Sequence, residues 1–235
     1  MSGNLPEKRG VMKANAYIFT WMMCIVLLIF PAGLAFAETL FYAVKDEETV
    51  SSLEIEIRKD DDGGHVYLSE LGSVQQYYRY DKNNTLTEWR FSDKEDETEF
   101  TALSRGGEIA VTGFRRGEPF SQTLSVGEQA WLQNSEFGLL EFIRSAKHQM
   151  DFIVIKPDDL SVNRLKVRKG AREKINYRGE RVSALRLKAT PPGLLSVLWQ
   201  AEYWYRVPDY LFIRYETKGA PGLPHTIIEL DRRER

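Results

Sequence analysis

The sequence predicts an all-β fold: a curved antiparallel meander that forms an incomplete barrel around one mid-chain helix. Three observations carry this expectation. Short segments with apolar residues at every second position recur along most of the chain, separated by Gly, Asn, Asp or Pro turns, the pattern of half-buried antiparallel strands. One stretch, Ser125 to His148, reads differently: from Phe137 its apolar residues fall at Phe137, Leu139, Leu140, Phe142, Ile143 and Ala146. That spacing places a stripe on one side of a helix, and a lone amphipathic helix among strands has only a sheet on which to bury it.

The strands follow in order. Thr39 to Val44 opens the series. Leu53, Ile55 and Ile57 alternate with Glu54, Glu56 and Arg58 ahead of the turn Asp60 to Gly64, and Asp-Gly is a strong hairpin signal. Val66 to Leu68 returns, Val74 to Tyr80 follows, and Asp81 to Asn84 turns the chain into Leu86 to Phe91. Phe100 to Leu103, Ile109 to Phe114 and Phe120 to Leu124 are punctuated by Gly106-Gly107 and Arg116-Gly117. The helix comes next, with Asn134 or Ser135 as its cap and Arg144, Lys147 and His148 at the negative end of its dipole.

Phe152 to Ile155 is apolar at every position and reads as a central strand covered on both faces. Leu165 and Val167 alternate with Arg164, Lys166 and Arg168. Ile175 to Tyr177 is a short strand, and Val182 to Ala189 precedes the breaker Pro191-Pro192-Gly193. Leu194 to Leu198 is an apolar connector. Trp199, Ala201, Tyr203 and Tyr205 share one strand face, with Trp204 opposite; Tyr210 to Thr217 and His225 to Leu230 complete the sheet, and Asp231 to Arg235 is a charged tail. The expected count is about a dozen strands in one domain, residues 38–235. Two packed β-subdomains meeting near the helix are the alternative.

The first 37 residues have a different character. Lys8, Arg9 and Lys13 precede an apolar run from Ala16 to Phe30, Pro31 and Gly33 break it, and Ala35-Phe36-Ala37 follows. This is the layout of a secretory signal with cleavage after Ala37, and Met12 is a possible start in place of Met1. An uncleaved anchor is the rival, because residues 16–37 are long enough to span a bilayer. Cys24, the only cysteine, lies inside the apolar run behind Trp21-Met22-Met23, not behind the small residues of a lipoprotein signal. The remaining chain has no thiol and no disulfide, so its fold rests on its core. Export without disulfides suits the bacterial periplasm.

Charge is unevenly divided. Residues 38–163 carry 25 acidic and 13 basic side chains, net −12, whereas residues 164–235 carry 16 basic and 8 acidic, net +8. Arg164, Lys166 and Arg168 share one strand face, and Arg186 and Lys188 another. If those strands are neighbours, the face is cationic and suits lipid head groups or an acidic polymer; a solvated face balanced by the acidic half is the plainer reading. Nucleic acid is not expected, since no aromatics interleave with the basic residues.

The chemistry-bearing residues are sparse. His65, His148 and His225 have no metal-ligand spacing. There is no G-x-S-x-G elbow, and the Gly pairs are hairpin tips with no helix behind them. Asp60 to Asp62 and Asp93 to Glu97 read as solvated turns, not a calcium loop. No cofactor, metal or catalytic residue is expected; Glu202 and Asp209 are the acids a hydrolase would have to use. The aromatic set is richer. Trp131, Phe137, Leu140, Phe142, Trp199, Tyr203, Tyr205 and Phe212 are the candidate lining of a lipophilic groove beneath the helix, with an ordinary core as the alternative.

Three segments together resemble a known group: the signal-like start, GEQAWLQNSEFGLLEFIRS (127–145), and AEYWYRVPDYLFIRYETKG with HTIIEL (201–219, 225–230). They are similar to a family of exported bacterial all-β proteins of unknown function. The unclosed barrel of that family is similar in fold to the carrier and receptor of outer-membrane lipoproteins. The resemblance implies a half-barrel and carries no catalytic residues; one helix stands where the carrier has several. The expectation is a monomeric, non-enzymatic periplasmic protein binding a lipid, lipoprotein or other amphipathic envelope component. Its alternatives are an envelope interaction protein without a small ligand and a hydrolase.

Overall fold

A computed structural model describes residues 36–46, 49–219 and 225–235. The expected export segment up to residue 35, Cys24, residues 47–48 and residues 220–224 lie outside the described residues.

Among the described residues fifteen strands make one sheet. The first eight are β1 (Phe36–Asp46), β2 (Thr49–Lys59), β3 (His65–Leu71), β4 (Val74–Tyr80), β5 (Leu86–Asp93), β6 (Thr98–Arg105), β7 (Glu108–Arg115) and β8 (Glu118–Ser125). Then come β9 (Ala130–Trp131), the helical turns α1 (Ser135–Gly138) and α2 (Leu140–Arg144), and β10 (Gln149–Ile155). The chain ends with β11 (Val162–Tyr177), β12 (Glu180–Thr190), a 3-10 turn (Gly193–Val197), β13 (Trp199–Arg206), β14 (Phe212–Gly219) and β15 (Thr226–Glu234). Each strand from β1 to β8 pairs antiparallel with the next, as does each from β10 to β15. The two meanders are joined where β1 pairs with β15, so the sheet is open, curved and bounded by β8 and β9.

Alternation explains the inner face. Leu40, Tyr42 and Val44 of β1 are buried, as are Val167 of β11, Leu185, Leu187 and Ala189 of β12, and Ala201, Tyr203 and Tyr205 of β13. Register sets these side by side: Val167 opposes Ala189, which opposes Ala201, and Leu187 opposes Tyr203. Cross-strand apolar pairs on one face are what hold such a sheet.

Several expectations need correction. The helix is shorter than its stripe: α2 stops at Arg144, Ser145 is extended (φ −72°, ψ 165°), and Ala146, Lys147 and His148 are outside it. The Ser145 hydroxyl donates to the Phe142 carbonyl at 2.8 Å and its oxygen accepts from the Lys147 amide at 3.3 Å, drawing off the groups that another turn would use. Asn134 holds the cap position but makes no side-chain cap bond.

Phe152 to Ile155 lies second from the sheet boundary, not at its centre. Phe152, Ile153 and Ile155 are nonetheless buried, and the outer edge of β10 is satisfied in an unusual way. After β9 ends at Trp131, the Gln133 side-chain amide takes over the ladder: it accepts from the Ile155 amide and donates to the Ile155 carbonyl, both at 2.8 Å. A side chain that imitates a strand is invisible to periodicity, and so is a two-residue strand.

The segments 164–168 and 175–177 are one strand, β11, with a register shift between Lys169 and Arg172. Gly170 lies in that bulge, where a Cβ would come within 3.0 Å of the Arg186 carbonyl oxygen. The charged tail is not a tail either: residues 231–234 belong to β15, and Arg233 pairs with Glu38 of β1 while Arg232 lies over the Phe41 ring at 4.1 Å. Glu38 is the residue that would follow cleavage after Ala37.

Close strand approach offers a test of the packing. At Gly113 of β7, opposite Phe100, an added Cβ would stand 2.1 Å from the Glu99 carbonyl oxygen and 2.5 Å from the Phe100 Cα. Those are backbone atoms that cannot swing away. Gly113→Ala is expected to lower the unfolding free energy by about 3 kcal/mol, the upper end of overpacking costs, read as a fall in the urea midpoint at constant slope.

Candidate functional site

The concave side of the sheet is a trough, and the segment Asn134–Arg144 fills it. Phe137, Leu139, Phe142 and Ile143 are buried, and Leu140 is half-buried. Helices of four and five residues have no stability of their own in water, so tertiary contacts hold them. The Phe137 ring packs on Tyr67 of β3 (centroids 4.7 Å) and Phe212 of β14 (6.5 Å). Phe212 in turn meets Tyr42 (5.4 Å), Tyr205 (5.6 Å) and Tyr203 (6.5 Å).

Polar bonds complete the seat. The Tyr80 hydroxyl donates to the Asn134 carbonyl at 3.2 Å, the Tyr205 hydroxyl donates to the Glu136 carbonyl at 2.9 Å, and Ser135 Oγ lies 3.1 Å from the Tyr203 hydroxyl. Gly138 allows this fit: a Cβ there would come within 3.0 Å of Leu132 Cδ2 and 3.2 Å of the Tyr80 hydroxyl. At the far end the Lys169 ammonium stands 5.0 Å over the Phe142 ring and donates to the Ser145 carbonyl.

The candidate groove residues therefore divide. Phe137, Tyr203, Tyr205 and Phe212 meet in one cluster. Trp131 joins another, 6.5 Å from Trp89, whose ring also lies 4.9 Å from Phe100. Phe142 sits under Lys169, and Trp199 is half-buried at the start of β13. Beneath the helical turns the rings occupy the space themselves. An open cleft of about 310 Å³ lies beside Trp131, lined by Leu86, Ile109 and Val126 among others; a second of about 370 Å³ lies among Asp93, Thr98 and Phe114. Both lie away from the Phe212 cluster.

Sequence reading passed over Glu136, because an acid in a first helical turn is an ordinary dipole partner. Its carboxyl titrates above the usual glutamate range owing to burial. The residue keeps some exposed surface, but its backbone is seated on the Tyr205 hydroxyl, and the direction of the shift follows from the loss of water around the carboxyl. Burial raises the hydroxyls of Tyr42, Tyr78, Tyr80, Tyr203, Tyr205 and Tyr215, and the Glu136 charge adds to the shift in each. A carboxyl whose charge reaches so many buried hydroxyls marks a site worth probing.

The basic strip is brought together. β10, β11 and β12 are neighbours, and Arg168 stands directly opposite Lys188. Lys166 approaches Asp151 (3.7 Å), and Arg186 approaches Glu173 and Glu202 (both 3.9 Å). Glu202 also takes the Lys218 ammonium at 2.6 Å, and Asp209 is clasped by Arg206 at 2.5 and 3.0 Å, so both candidate acids are ion-paired. Asp60 receives Arg79, and Asp62 and Asp81 accept turn amides, so these acids build hairpins. Among the described residues no three His, Cys, Asp or Glu side chains are placed to hold a metal, and no helix is long and apolar enough to cross a membrane.

The fold has a structural counterpart. It is similar to the crystal structure of a beta-barrel-like protein of the domain of unknown function DUF1849 from Brucella abortus, with a TM-score of 0.59 at 10% identity, over 85% of this chain and 97% of that one. A DUF1329 family protein from Desulfovibrio piger aligns over 85% of this chain and 86% of its own at 11% identity, but its TM-score of 0.28 carries no argument. No family model matches the sequence, and no curated protein matches it. The first likeness shows the barrel-like fold and nothing of its chemistry.

The Glu136 environment gives a pH test. Its folded pKa lies above the ordinary value of 4.5, so the neutral acid is the form the fold favours. The associated stability is fully present below the unfolded pKa and is lost as pH rises through the folded one. Glu136→Gln is expected to be more stable than the parent at about pH 8 and indistinguishable from it at about pH 3.5, by urea denaturation at both. A parent that gains stability over the variant as pH rises would contradict the assignment.

Proposed function

We propose that this is an exported, non-enzymatic binding protein for a lipophilic or amphipathic component of the bacterial envelope, with Asn134–Arg144 as an exchangeable plug. The observation that carries the reading is the nature of the plug's attachment. An aromatic trough is filled by short helical turns that could not stand alone, seated through three tyrosine hydroxyls. Burying each large apolar side chain contributes about 1.5–3 kcal/mol, while ordering each residue costs about 1–2 kcal/mol, so the net hold on the segment is small. An acyl chain entering as the plug leaves exchanges one apolar surface for another. Export is an expectation from the N-terminal segment, and the barrel-like neighbour supports the architecture only.

A second reading, an envelope interaction protein with no small ligand, is favoured by the ring packing that closes the trough. Crosslinking probes along the Arg164–Lys188 face would find its partners.

The plug is tested by uptake of a fluorescent fatty acid together with native mass spectrometry of freshly purified protein. Tyr80→Phe with Tyr205→Phe removes two plug bonds worth about 1 kcal/mol each, and uptake is expected to rise on the order of tenfold. No bound lipid and no uptake by either protein would leave the second reading in place.

A further inference from the structure

The exposed apolar side chains of this protein are not scattered. Among the described residues the large ones are Leu194 (88% exposed), Leu195 (58%), Val197 (82%), Leu198 (48%), Val50 (72%) and Phe114 (45%). Four of the six fall within five residues. Pro191-Pro192-Gly193 ends β12, and the 3-10 turn Gly193–Val197 that follows has no buried residue. It stands out as a knuckle between β12 and β13. Strand direction also puts Val50, next to the β1–β2 turn, and Phe114, next to the β7–β8 turn, at the same rim of the sheet.

Charge surrounds the knuckle unevenly. Lys166 opposes Thr190 at its base, Arg164 lies two residues nearer the rim, and Lys218 opposes Gln200 on the other side. Lys166 and Lys218 have carboxylate partners, whereas Arg164, Arg168 and Lys188 are exposed and make no ion pair among the described residues. Arg168 and Lys188 face one another across the ladder, a like-charge pairing that an anion would relieve. Acids share the rim: Asp158-Asp159 lies in the β10–β11 turn next to the knuckle and Glu95 to Glu97 in the β5–β6 turn of the acidic half, so contact falls on the knuckle itself and on the side of β11 and β12 where Arg164, Arg168 and Lys188 stand.

The geometry points to the knuckle Leu194–Leu198 as a docking element for an anionic phospholipid bilayer, its apolar side chains entering the headgroup boundary while Arg164, Arg168 and Lys188 meet phosphates. Apolar insertion beside cations is the general recipe for peripheral attachment, and an apolar cluster of this kind in water otherwise lacks a reason. A second copy of this chain fits less well. A two-fold contact matches a patch with itself, and it would set the same cations against each other. The inference is independent of whether the trough takes a ligand.

The test places an environment-sensitive fluorophore on the knuckle of the full chain through Val197→Cys in a Cys24→Ser background. A control carries it through Asn83→Cys, in an exposed turn at the opposite rim. Vesicles of phosphatidylcholine with phosphatidylglycerol are expected to shift the Val197 reporter to the blue and shield it from an aqueous quencher, leaving the Asn83 reporter unchanged. High salt, or Arg164→Glu with Arg168→Glu and Lys188→Glu, should weaken that response at least tenfold. Circular dichroism confirms that the variant is folded. A reporter blind to both vesicles, one responding equally to phosphatidylcholine alone, or one shifting with protein concentration without lipid would overturn the proposal, the last in favour of self-association.

Discussion

The structure hangs on the pairing of its first strand with its last. Without the β1–β15 ladder the chain would be two separate meanders, each with two open edges and each too flat to enclose anything. The seam is built with care. Leu40, Tyr42 and Val44 face inward with Leu230, the Tyr42 hydroxyl reaches across to the Phe212 carbonyl at 3.2 Å, and Arg233 grips Glu38 from 195 residues away. Loop closure over that distance costs roughly 2–3 kcal/mol more than over a ten-residue loop, because the cost grows with the logarithm of length, and the buried cross-strand pairs of the seam offset it.

Because each meander keeps its strands in sequence order, the charge division along the chain becomes a division in space. The acidic residues are spread over β2 to β8 and the basic ones over β11 to β15, with the seam between. The two ends of the sheet are bridged instead by the plug and its flanking chain: Val126 donates to the Gly107 carbonyl at the β8 end, and Leu132 and Gln133 bond along β10, beside the basic strands. One segment thus fills the trough and finishes a sheet boundary. That double duty explains why so short a helix is held through polar groups as well as apolar ones.

The outer face and the rim are a different matter from the trough. Trp204, pointing outward, is covered by the Arg214 guanidinium at 5.5 Å and bonded to Glu173 at 2.7 Å, so an apolar ring on that side is sheltered by charged neighbours. Leu194 and Val197 have no such cover. Both lie where a Pro-Pro-Gly break forbids continuation of the strand, and the chain there could have been a tight polar turn.

Much of the architecture is legible in the sequence. Period-two alternation and Gly, Asn and Pro turns announced most of the strands, their antiparallel succession and the helical stripe, because those signals depend on neighbours one to four residues apart. The conversion of Asp231–Glu234 from tail to seam, the joining of 162–177 into one bulged strand and the Gln133 ladder depended on partners far away in sequence. The same holds for the site. Aromatic residues announced a buried cluster, but only packing decided that Phe137 and Phe212 fill the trough, that Glu136 sits among tyrosines, and that Leu194–Leu198 stands in solvent. A residue's own type sets what it would prefer to bury; which surfaces are left for it to bury against is decided only when the whole sheet has closed around them.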